Sequence, residues 1–277
     1  MSISSEHPLE LFLEVATEAA RAGGDVLTTF AGSLSNIQEK GRPGDLVTEA
    51  DRASEAVVLD VLRRRLPEHA ILAEESGDSG DPEQTPYLWA IDPLDGTTNY
   101  THNYPFYAVS IGLLIHGVPS VGVVFNPRLN ELFQAAAGLG ATCNQQPISV
   151  SKTAQLKDSL LVTGFAYDRR ETIDNNYAEF CHLTHKTQGV RRGGSASVDL
   201  AYVACGRLDG YWERGLSPWD LAAGVVLVQE AGGHVTAYDQ GPFDLKTGRI
   251  LATNGALHDS LSNALISVKP LQEFAPA

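Results

Sequence analysis

The spacing of apolar residues changes along this chain, and it limits the folds that the chain can adopt. Apolar side chains first recur every three or four residues over residues 10–30 and again from about residue 51 to Pro67, which is typical of two amphipathic helices. Short apolar runs follow at residues 70–73, 87–91, 106–114, 120–125 and 131–137. Such runs are typical of strands, and Gly117-Val118-Pro119 has the composition of a hairpin turn. The first half is therefore predicted to be two helices followed by a mostly antiparallel sheet.

After about residue 150 the pattern alternates between strand and helix. Strands are predicted at residues 160–163, 188–191, 208–212, 234–238 and 250–252, and helices at residues 175–186, 195–205, 218–231 and from residue 257. Such alternation is typical of the α/β class, in which helices cover a sheet. We predict a boundary near Val150, so that residues 1–150 form an α+β half and residues 151–277 form an α/β half.

Charge and composition exclude several classes of protein. The chain has 34 acidic residues against 20 Lys and Arg, a net charge of −14, so nucleic-acid binding is not expected. The longest apolar stretch, residues 108–115, is far shorter than the roughly 20 residues that span a bilayer, so no membrane-spanning helix is predicted. An acidic protein that acts on an anionic substrate must neutralise it locally, and a bound cation is the simplest means.

The cysteines and the N-terminus predict a cytoplasmic protein. Cys143, Cys181 and Cys205 are widely spaced and odd in number, which favours reduced thiols over a disulfide framework or a zinc site. No basic residue precedes Arg21, and this argues against an export signal or a transit peptide.

An apolar run that ends in two carboxylates is the most informative motif, because Asp92 and Asp95 lie three residues apart at the end of a predicted strand. Pro93 is expected to fix a turn between them, and Gly96 allows the backbone to approach a ligand closely. Either acid alone would be interpreted as a turn or cap residue. With the two threonines that follow, they offer carboxylates for a hard cation and polar groups for a phosphate. The motif favours metal-assisted phosphoryl chemistry.

Two further acids, Glu74 and Asp220, are candidates for the same site, and the second also has a structural interpretation. Glu74 follows the predicted strand at residues 70–73, so an acid again lies at the end of a strand. Asp220 lies in the first turn of a helix that begins at Ser217, where any acid stabilises the helix dipole. Asp51 lies in the first turn of an earlier helix. The residues alone leave both interpretations open for Asp220 and favour the structural one for Asp51.

Four segments, in this order, resemble the motifs of the inositol monophosphatase family. They are Asp45-Leu46-Val47-Thr48-Glu49-Ala50-Asp51, Glu74-Glu75-Ser76, Asp92-Pro93-Leu94-Asp95-Gly96-Thr97-Thr98-Asn99 and Trp219-Asp220-Leu221-Ala222-Ala223-Gly224. Their order and spacing are similar to those of the family over nearly the whole chain. The resemblance implies the layered αβαβα sandwich of the sugar phosphatases, which agrees with the α/β prediction, and a homodimer.

The resemblance also implies a site for two or three Mg²⁺ ions. Glu74, Asp92 and the backbone carbonyl of Leu94 would hold the first ion. Asp92, Asp95 and Asp220 would hold the second. Carboxylates without nearby His or Cys suit magnesium rather than zinc. All of these ligands lie in residues 1–150 except Asp220. Asp220 lies in residues 151–277, as does the implied substrate-binding loop.

The same resemblance implies roles in catalysis and in substrate binding. Thr97 and Asp51 would orient and deprotonate the attacking water, with Glu74 as the third catalytic residue. The implied substrate-binding residues are Asp95, Gly96, Thr97, Asp220, the loop Gly194-Ser195-Ala196 and the acid Glu213, which would bind ring hydroxyls. Lys40 would lie on a loop that covers the site.

These features predict a magnesium-dependent phosphomonoesterase that hydrolyses myo-inositol monophosphate to inositol and phosphate by direct attack of a metal-activated water. The substrate is then a small phosphorylated polyol, and lithium sensitivity is expected as a family property. Similar sites in relatives handle fructose 1,6-bisphosphate, histidinol phosphate, sugar 1-phosphates or 3′-phosphoadenosine phosphates, so a broader sugar-phosphate or histidinol-phosphate phosphatase is the alternative. A protein-interaction module is the non-enzyme alternative, because some bacterial relatives of the family act in transcription complexes.

Overall fold

The structure, a computed structural model, describes residues 7–80 and 84–271, so the expectations for residues 1–6 lie outside the described residues. Its helices are α1 (Leu9–Phe30), α2 (Glu49–Arg65), α3 (Thr97–Thr101), α4 (Tyr177–Lys186), α5 (Ala196–Ala204), α6 (Pro218–Glu230) and α7 (His258–Ile266). Its strands are β1 (Ile37–Glu39), β2 (Leu46–Thr48), β3 (Ala70–Ala73), β4 (Gly77–Ser79), β5 (Tyr87–Asp95), β6 (Ala108–Ile115), β7 (Val118–Asn126), β8 (Glu131–Ala136), β9 (Gly140–Cys143), β10 (Gln146–Pro147), β11 (Leu160–Thr163), β12 (Gly189–Arg191), β13 (Gly210–Glu213), β14 (His234–Thr236) and β15 (Ile250–Thr253).

The helices and the two large sheets form five layers. An eight-stranded sheet, in the order β10-β9-β8-β7-β6-β5-β3-β4, carries α1 and α2 on one face. Helices α5 and α6 pack between its other face and a five-stranded sheet, in the order β12-β11-β13-β15-β14. Helices α4 and α7 cover the outer face of that second sheet. The predicted αβαβα sandwich of the α/β class is therefore confirmed.

The alternation of side chains along β6 shows how the larger sheet is buried on both faces. Val109, Ile111 and Leu113 belong to the core that the sheet shares with α1 and α2. Ala108 and Leu114 belong to the core that it shares with α5 and α6. Successive side chains of a strand point to opposite faces, so a strand covered on both sides is a continuous apolar run in the sequence.

Two glycines let α6 lie directly on the eight-stranded sheet. Gly112 of β6 and Gly122 of β7 are partners across the strand pair. A Cβ atom on Gly122 would lie 2.3 Å from the carbonyl oxygen of Ala223, and one on Gly112 would lie 2.5 Å from the Cβ atom of Ala222. No side chain larger than hydrogen fits at either position without a shift of α6, so the glycines set the distance between helix and sheet.

Most predicted elements are confirmed to within a few residues, and the β6–β7 hairpin is among them. Its turn consists of His116 and Gly117, both with positive φ, and Val118 and Pro119 belong to β7 instead. The apolar pattern missed β1, β2, β4, β9, β10 and α3. These elements are short, and all three residues of β1 are exposed, so no apolar periodicity marks them.

The second half of the chain completes the core under the sheet of the first half. Leu221, Ala222 and Ala223 of α6 lie in one hydrophobic core with Ala90 and Val124 of the eight-stranded sheet. Residues from both sides of position 150 therefore share a core. The predicted boundary near residue 150 stays a prediction.

Two expectations about membranes and thiols also bear on the fold. In residues 7–80 and 84–271, no helix has both the length and the apolar composition to cross a bilayer. The three cysteines are free, as the sequence predicts.

Candidate active site

Two acids lie side by side because their strands are parallel neighbours. β3 pairs with β5 in parallel, with Ala73 opposite Ile91, so Glu74 and Asp92 follow at the same edge of the sheet. The backbone N–H of Glu74 donates to the carbonyl oxygen of Ile91 at 3.1 Å, which extends the contact by one residue. The carboxyl ends of neighbouring strands in an α/β sheet are a common place for a ligand.

The second acid of the Asp-Pro-Leu-Asp motif ends an irregular strand rather than following a turn. The prediction of a turn at Pro93 is wrong, because β5 continues to Asp95 and its pairing with β6 shifts register between Asp92 and Asp95. A strand irregularity of this kind redirects the side chains that follow it. The N–H of Leu94 donates to Oδ1 of Asp92 at 2.9 Å, and Ser54 of α2 donates to the carbonyl oxygen of Pro93 at 2.9 Å. These two bonds hold the irregular segment in place.

Gly96 and Thr97 connect the end of β5 to a buried acid on α2. Gly96 has a φ of 99°, a left-handed conformation that favours glycine, and α3 begins at the next residue. Oγ1 of Thr97 lies 3.0 Å from Oδ1 of Asp51 and 3.1 Å from the carbonyl oxygen of Leu94. Oδ2 of Asp51 accepts hydrogen bonds from the N–H and the hydroxyl of Thr48, the N-cap residue of α2. Burial raises the pKa of Asp51, although the bonds from Thr48 and Thr97 oppose the rise.

Asp220 reaches the site from the first turn of α6. Ser110 lies opposite Asp92 in the β5–β6 pair and donates to the carbonyl oxygen of Trp219 at 3.2 Å, so the start of α6 is tied to the strand pair that carries Asp92. Oδ2 of Asp220 accepts the backbone N–H of Ser217 at 2.6 Å and closes a capping box. Asp220 also lines the cleft. The structural and functional interpretations of this acid are therefore compatible.

Carboxylate oxygens of Asp92, Asp95 and Asp220 lie within 4.8 Å of one another. Burial and the neighbouring carboxylates raise the pKa values of Asp92 and Asp220 well above the ordinary value for Asp. Buried like charges at this distance repel one another unless a cation lies among them. The cluster, in the part of the chain that the structure describes, contains only carboxylates and adjoins the Leu94 carbonyl. This donor set suits a hard cation such as Mg²⁺.

Lys40 supplies a positive charge at the edge of this cluster. Its Nζ lies 2.8 Å from Oε1 of Glu74 and also contacts Glu75, and its side chain lines the cleft. Partial burial lowers the pKa of Lys40, but the attraction of Glu74 and Glu75 outweighs it and the net shift is upward. Glu55 of α2 accepts the backbone N–H of Glu75 at 2.8 Å, which fixes this end of the Glu74–Glu75 segment.

The predicted substrate loop is attached to the acid cluster through Asp95. Oδ2 of Asp95 accepts hydrogen bonds from Oγ of Ser195 at 2.7 Å, from the N–H of Ser197 at 2.7 Å and from Oγ of Ser197 at 2.6 Å. The side-chain amide of Asn99 donates to the carbonyl oxygen of Gly193 at 3.0 Å. The loop before α5 is thus held against the end of β5, although the two segments are far apart in sequence.

Glu213 ends β13 and lines a small cavity of about 110 Å³ that adjoins the main cleft of about 370 Å³. The two spaces share Asp95 and Asp220. Burial raises the pKa of Glu213 to about 7, although a hydrogen bond from the hydroxyl of Tyr211, at 2.6 Å, opposes the rise. A buried carboxyl beside the acid cluster can accept hydrogen bonds from the hydroxyl groups of a ligand.

Every site residue expected from the sequence lies at this cleft or directly behind it. The lining residues are Glu74, Asp92, Leu94, Asp95, Gly96, Thr97, Gly194, Ser195, Ala196, Glu213 and Asp220. Asp51 is fully buried and reaches the cleft through its contact with Thr97. The structure brings the set together, and the chemical role of each residue stays a prediction.

Several residues that hold the site were missed in the sequence. Ser54 and Glu55 follow Asp51 by three and four residues, so all three share one face of α2, and this spacing was the available signal. Ser197 and Asn99 bond to residues far away in sequence, and although Asn99 ends the Asp92–Asn99 motif, no local pattern predicts either contact.

Comparison with known proteins identifies the group to which this site belongs. A sequence model of the inositol monophosphatase family matches residues 9–269. The chain belongs to the inositol monophosphatase family. An Inositol-1-monophosphatase from Synechocystis sp. is 62% identical to it over 276 residues, which cover 99% of this chain and 96% of the relative. The structure of Inositol monophosphatase from Anabaena (Nostoc) sp. PCC 7120 has a TM-score of 0.89 and 62% identity, over 96% of this chain and 100% of that chain.

Family membership confirms the predicted class of enzyme, a phosphoric monoester hydrolase. The inositol monophosphatase family is metal-dependent, and the Asp92, Asp95 and Asp220 cluster provides the acids for such a metal. One further relative has a different description: Nus factor SuhB from Pseudomonas aeruginosa is 43% identical over 251 residues, which cover 89% of this chain and 92% of the relative.

Proposed function

We propose that this chain hydrolyses myo-inositol monophosphate, a small phosphorylated polyol, to inositol and phosphate. The observation that supports this substrate is the position of Glu213, whose cavity shares Asp95 and Asp220 with the cleft of the acid cluster. A phosphate near the cluster would place the attached ring within reach of a carboxyl that accepts hydroxyl hydrogen bonds. The Synechocystis and Anabaena relatives support the same substrate through their descriptions.

The metal in this proposal is Mg²⁺, with two or three ions per site. Glu74, Asp92 and the carbonyl oxygen of Leu94 would hold one ion. Asp92, Asp95 and Asp220 would hold another. Held by these residues, Mg²⁺ would supply Lewis acidity for the phosphate and would lower the pKa of a water molecule.

Thr97 and Asp51 are proposed to handle the attacking water. Oγ1 of Thr97 can accept a hydrogen bond from the water while its own proton points to Asp51, 3.0 Å away. The buried position of Asp51 raises its pKa, which makes it a better proton acceptor near neutral pH than an exposed Asp. Glu74, beside Asp92 at the strand ends, is the third residue of this catalytic set.

The remaining residues are proposed to position the substrate. Backbone N–H groups after Gly96 would face the phosphate, because the left-handed conformation of this residue turns the chain into α3 at the edge of the cleft. Gly194, Ser195 and Ala196 would line the ring, and Glu213 would accept hydrogen bonds from its hydroxyl groups.

A panel of phosphate esters tests this proposal. Phosphate release is measured from inositol 1-phosphate, fructose 1,6-bisphosphate, histidinol phosphate and 3′-phosphoadenosine 5′-phosphate, with and without Mg²⁺. We expect strictly Mg²⁺-dependent release, with the highest kcat/KM for inositol 1-phosphate. A clear preference for another ester would contradict the proposed substrate and favour the alternative, a broader phosphatase. Addition of lithium to the same assay tests the expected lithium sensitivity.

Asp92→Asn is expected to lower kcat by at least about 1000-fold, because it removes a carboxylate that both proposed ions share. Asp60→Asn is the matched control, since Asp60 is an exposed residue of α2 that pairs with Arg64. Phosphate release and circular dichroism are measured for both variants. Retention of more than a tenth of the activity by folded Asp92→Asn would remove Asp92 from the site.

The similarity to Nus factor SuhB favours a second candidate function, a protein-interaction module. A pull-down from lysate with the Asp92→Asn protein separates the two functions. A module would keep its partner in this variant, whereas an enzyme without such a role would capture none. The homodimer and the cytoplasmic location are also proposals, and sedimentation velocity of the purified chain tests the first of them.

A further inference from the structure

Glu213 and Tyr211 form a buried pair on one face of β13. They are two residues apart on a strand, so their side chains point to the same side. The hydroxyl of Tyr211 donates to Oε2 of Glu213 at 2.6 Å, and Tyr211 is fully buried. The bond therefore fixes one carboxylate oxygen from inside the protein and leaves Oε1 for another partner.

Gly164, the residue after β11, closes another side of the same carboxylate. A Cβ atom on Gly164 would lie 2.1 Å from Oε2 and 2.2 Å from Oε1 of Glu213, so the carboxylate packs directly on the glycine backbone. The side-chain amide of Asn176 donates to the carbonyl oxygen of Gly164 at 2.7 Å and accepts the indole N–H of Trp212 at 2.7 Å. Gly164 is thus held in place from behind.

These contacts restrict the carboxylate to one orientation that faces the small cavity. A hydroxyl donor also favours the charged form of a carboxyl, so Tyr211 lowers the pKa of Glu213 against the effect of burial. Without that donor the carboxylate can rotate and holds its proton to higher pH. Both changes weaken its ability to accept a hydrogen bond from a ligand.

We propose that Tyr211 is a positioning residue for polyol recognition: its hydroxyl holds one oxygen of Glu213 so that the other accepts a hydrogen bond from a substrate hydroxyl. This role rests on the proposed function, in which Glu213 binds the polyol. It makes substrate selectivity depend on a side chain that lines neither the main cleft nor the small cavity.

Kinetics of Tyr211→Phe test the proposal. KM for inositol 1-phosphate is expected to rise about fivefold while kcat falls less than about twofold, because one oriented hydrogen bond to the ring is weakened. The ratio of kcat/KM between inositol 1-phosphate and p-nitrophenyl phosphate should fall, since the second substrate has no polyol hydroxyl groups. Tyr202→Phe is the matched control, because its hydroxyl donates to Glu131 at 2.9 Å, away from both cavities.

A second variant and a double-mutant cycle separate positioning from a general loss of structure. Gly164→Ala should lower the same selectivity ratio with Tyr211 intact, because the new methyl group displaces the carboxylate. In a Glu213→Ala background, Tyr211→Phe should cause no further loss. Additive effects of the two substitutions, or equal losses with both substrates, would overturn the proposal. If the unmodified chain releases phosphate from p-nitrophenyl phosphate but not from inositol 1-phosphate, the proposed substrate is wrong. The role of Tyr211, which depends on that substrate, is then rejected as well.

Discussion

Asp220 has one purpose in the structure of α6, and it is proposed to have a second as a metal ligand. Oδ2 caps α6 through the N–H of Ser217, and the same side chain contributes to the cluster with Asp92 and Asp95. Asp51 is divided in the same way, with Oδ2 bound to Thr48 and Oδ1 to Thr97. The sequence presents the cap and the functional role as alternatives, because both predict an acid in the first turn of a helix. The geometry shows that the cap contact and a place in the acid cluster are compatible in one residue, and the functional role stays a prediction.

A pair of substitutions at Asp220 separates the two purposes. Asp220→Asn keeps an oxygen that can accept the N–H of Ser217, whereas Asp220→Ala removes it, and both abolish the charge. We expect both variants to lose Mg²⁺-dependent turnover, and Asp220→Ala to be less stable than Asp220→Asn by about 1 kcal/mol, because the reciprocal hydrogen bond of the capping box to the N–H of Ser217 is lost. Urea unfolding of the metal-free variants measures the difference. Equal stability would mean that the capping box contributes nothing to folding.

At the scale of elements, the position of α6 determines where the last acid lies. The helix begins at the acid cluster and crosses the sheet over Gly112 and Gly122, where the backbones approach closely. Ser110, two residues before Gly112 on the same face of β6, ties the start of the helix to the sheet through Trp219. A change in the contact between helix and sheet should therefore change the position of Asp220, although neither glycine lines the cleft.

Gly122→Ala is expected to lower both stability and activity. The new methyl group would lie 2.3 Å from the carbonyl oxygen of Ala223, so α6 must shift, at a cost of about 1–3 kcal/mol. Calorimetry should show a lower Tm, and assays should show a higher Mg²⁺ concentration for half-maximal activity. Gly189→Ala on β12 is the control, because its Cβ atom would meet the flexible side chain of Arg191 at 3.1 Å and Cδ1 of Leu160 at 3.7 Å, an ordinary contact distance. A lower Tm with an unchanged Mg²⁺ requirement would mean that the position of α6 does not affect the proposed metal site.

The elements that could be predicted from the sequence are those with strong apolar patterns. β6 and α1 are long enough for a pattern to mark them, and the acids at the ends of β3 and β5 could be placed at one edge. The shift in register after Asp92 could not be predicted, since Pro93 normally indicates a turn and only pairing with β6 keeps the chain extended. The Tyr211–Glu213 and Ser197–Asp95 bonds also have no local signal, because they depend on packing between elements.

At the scale of the whole molecule, part of the net charge of −14 lies in buried acids. Burial raises the pKa of Glu213 to about 7, and burial with a contribution from Glu74 raises that of Glu75 to about 7 as well. Burial and the neighbouring carboxylates raise the pKa values of Asp92 and Asp220 well above the ordinary value for Asp. The folded chain therefore holds protons near neutral pH that the unfolded chain has already released.

The metal-free protein should lose stability as the pH rises. For Glu75 and Glu213, the stabilisation present below the unfolded pKa of 4.5 is lost as the pH rises through the folded value of about 7. Calorimetry in EDTA should show Tm falling by roughly 5 °C between about pH 6 and about pH 8. Mg²⁺ should reduce the fall, since a bound cation offsets the repulsion among the acids. A Tm that rises over this range without metal would contradict the expectation.

The hydrogen bonds that the protein donates to its site acids affect how the enzyme responds to loss of its metal. Asp51, Asp92, Asp95 and Asp220 each have one oxygen bound by a donor of the chain itself. The fold therefore orients one oxygen of each acid before any ion binds, in contrast to small zinc domains that unfold when the metal leaves. Removal of the metal by a chelator should therefore abolish activity without unfolding the protein, so that its susceptibility to proteases stays low. If the metal is the proposed Mg²⁺, a passing shortage of the ion would lower activity without loss of the protein, and activity would return with the ion and without new synthesis.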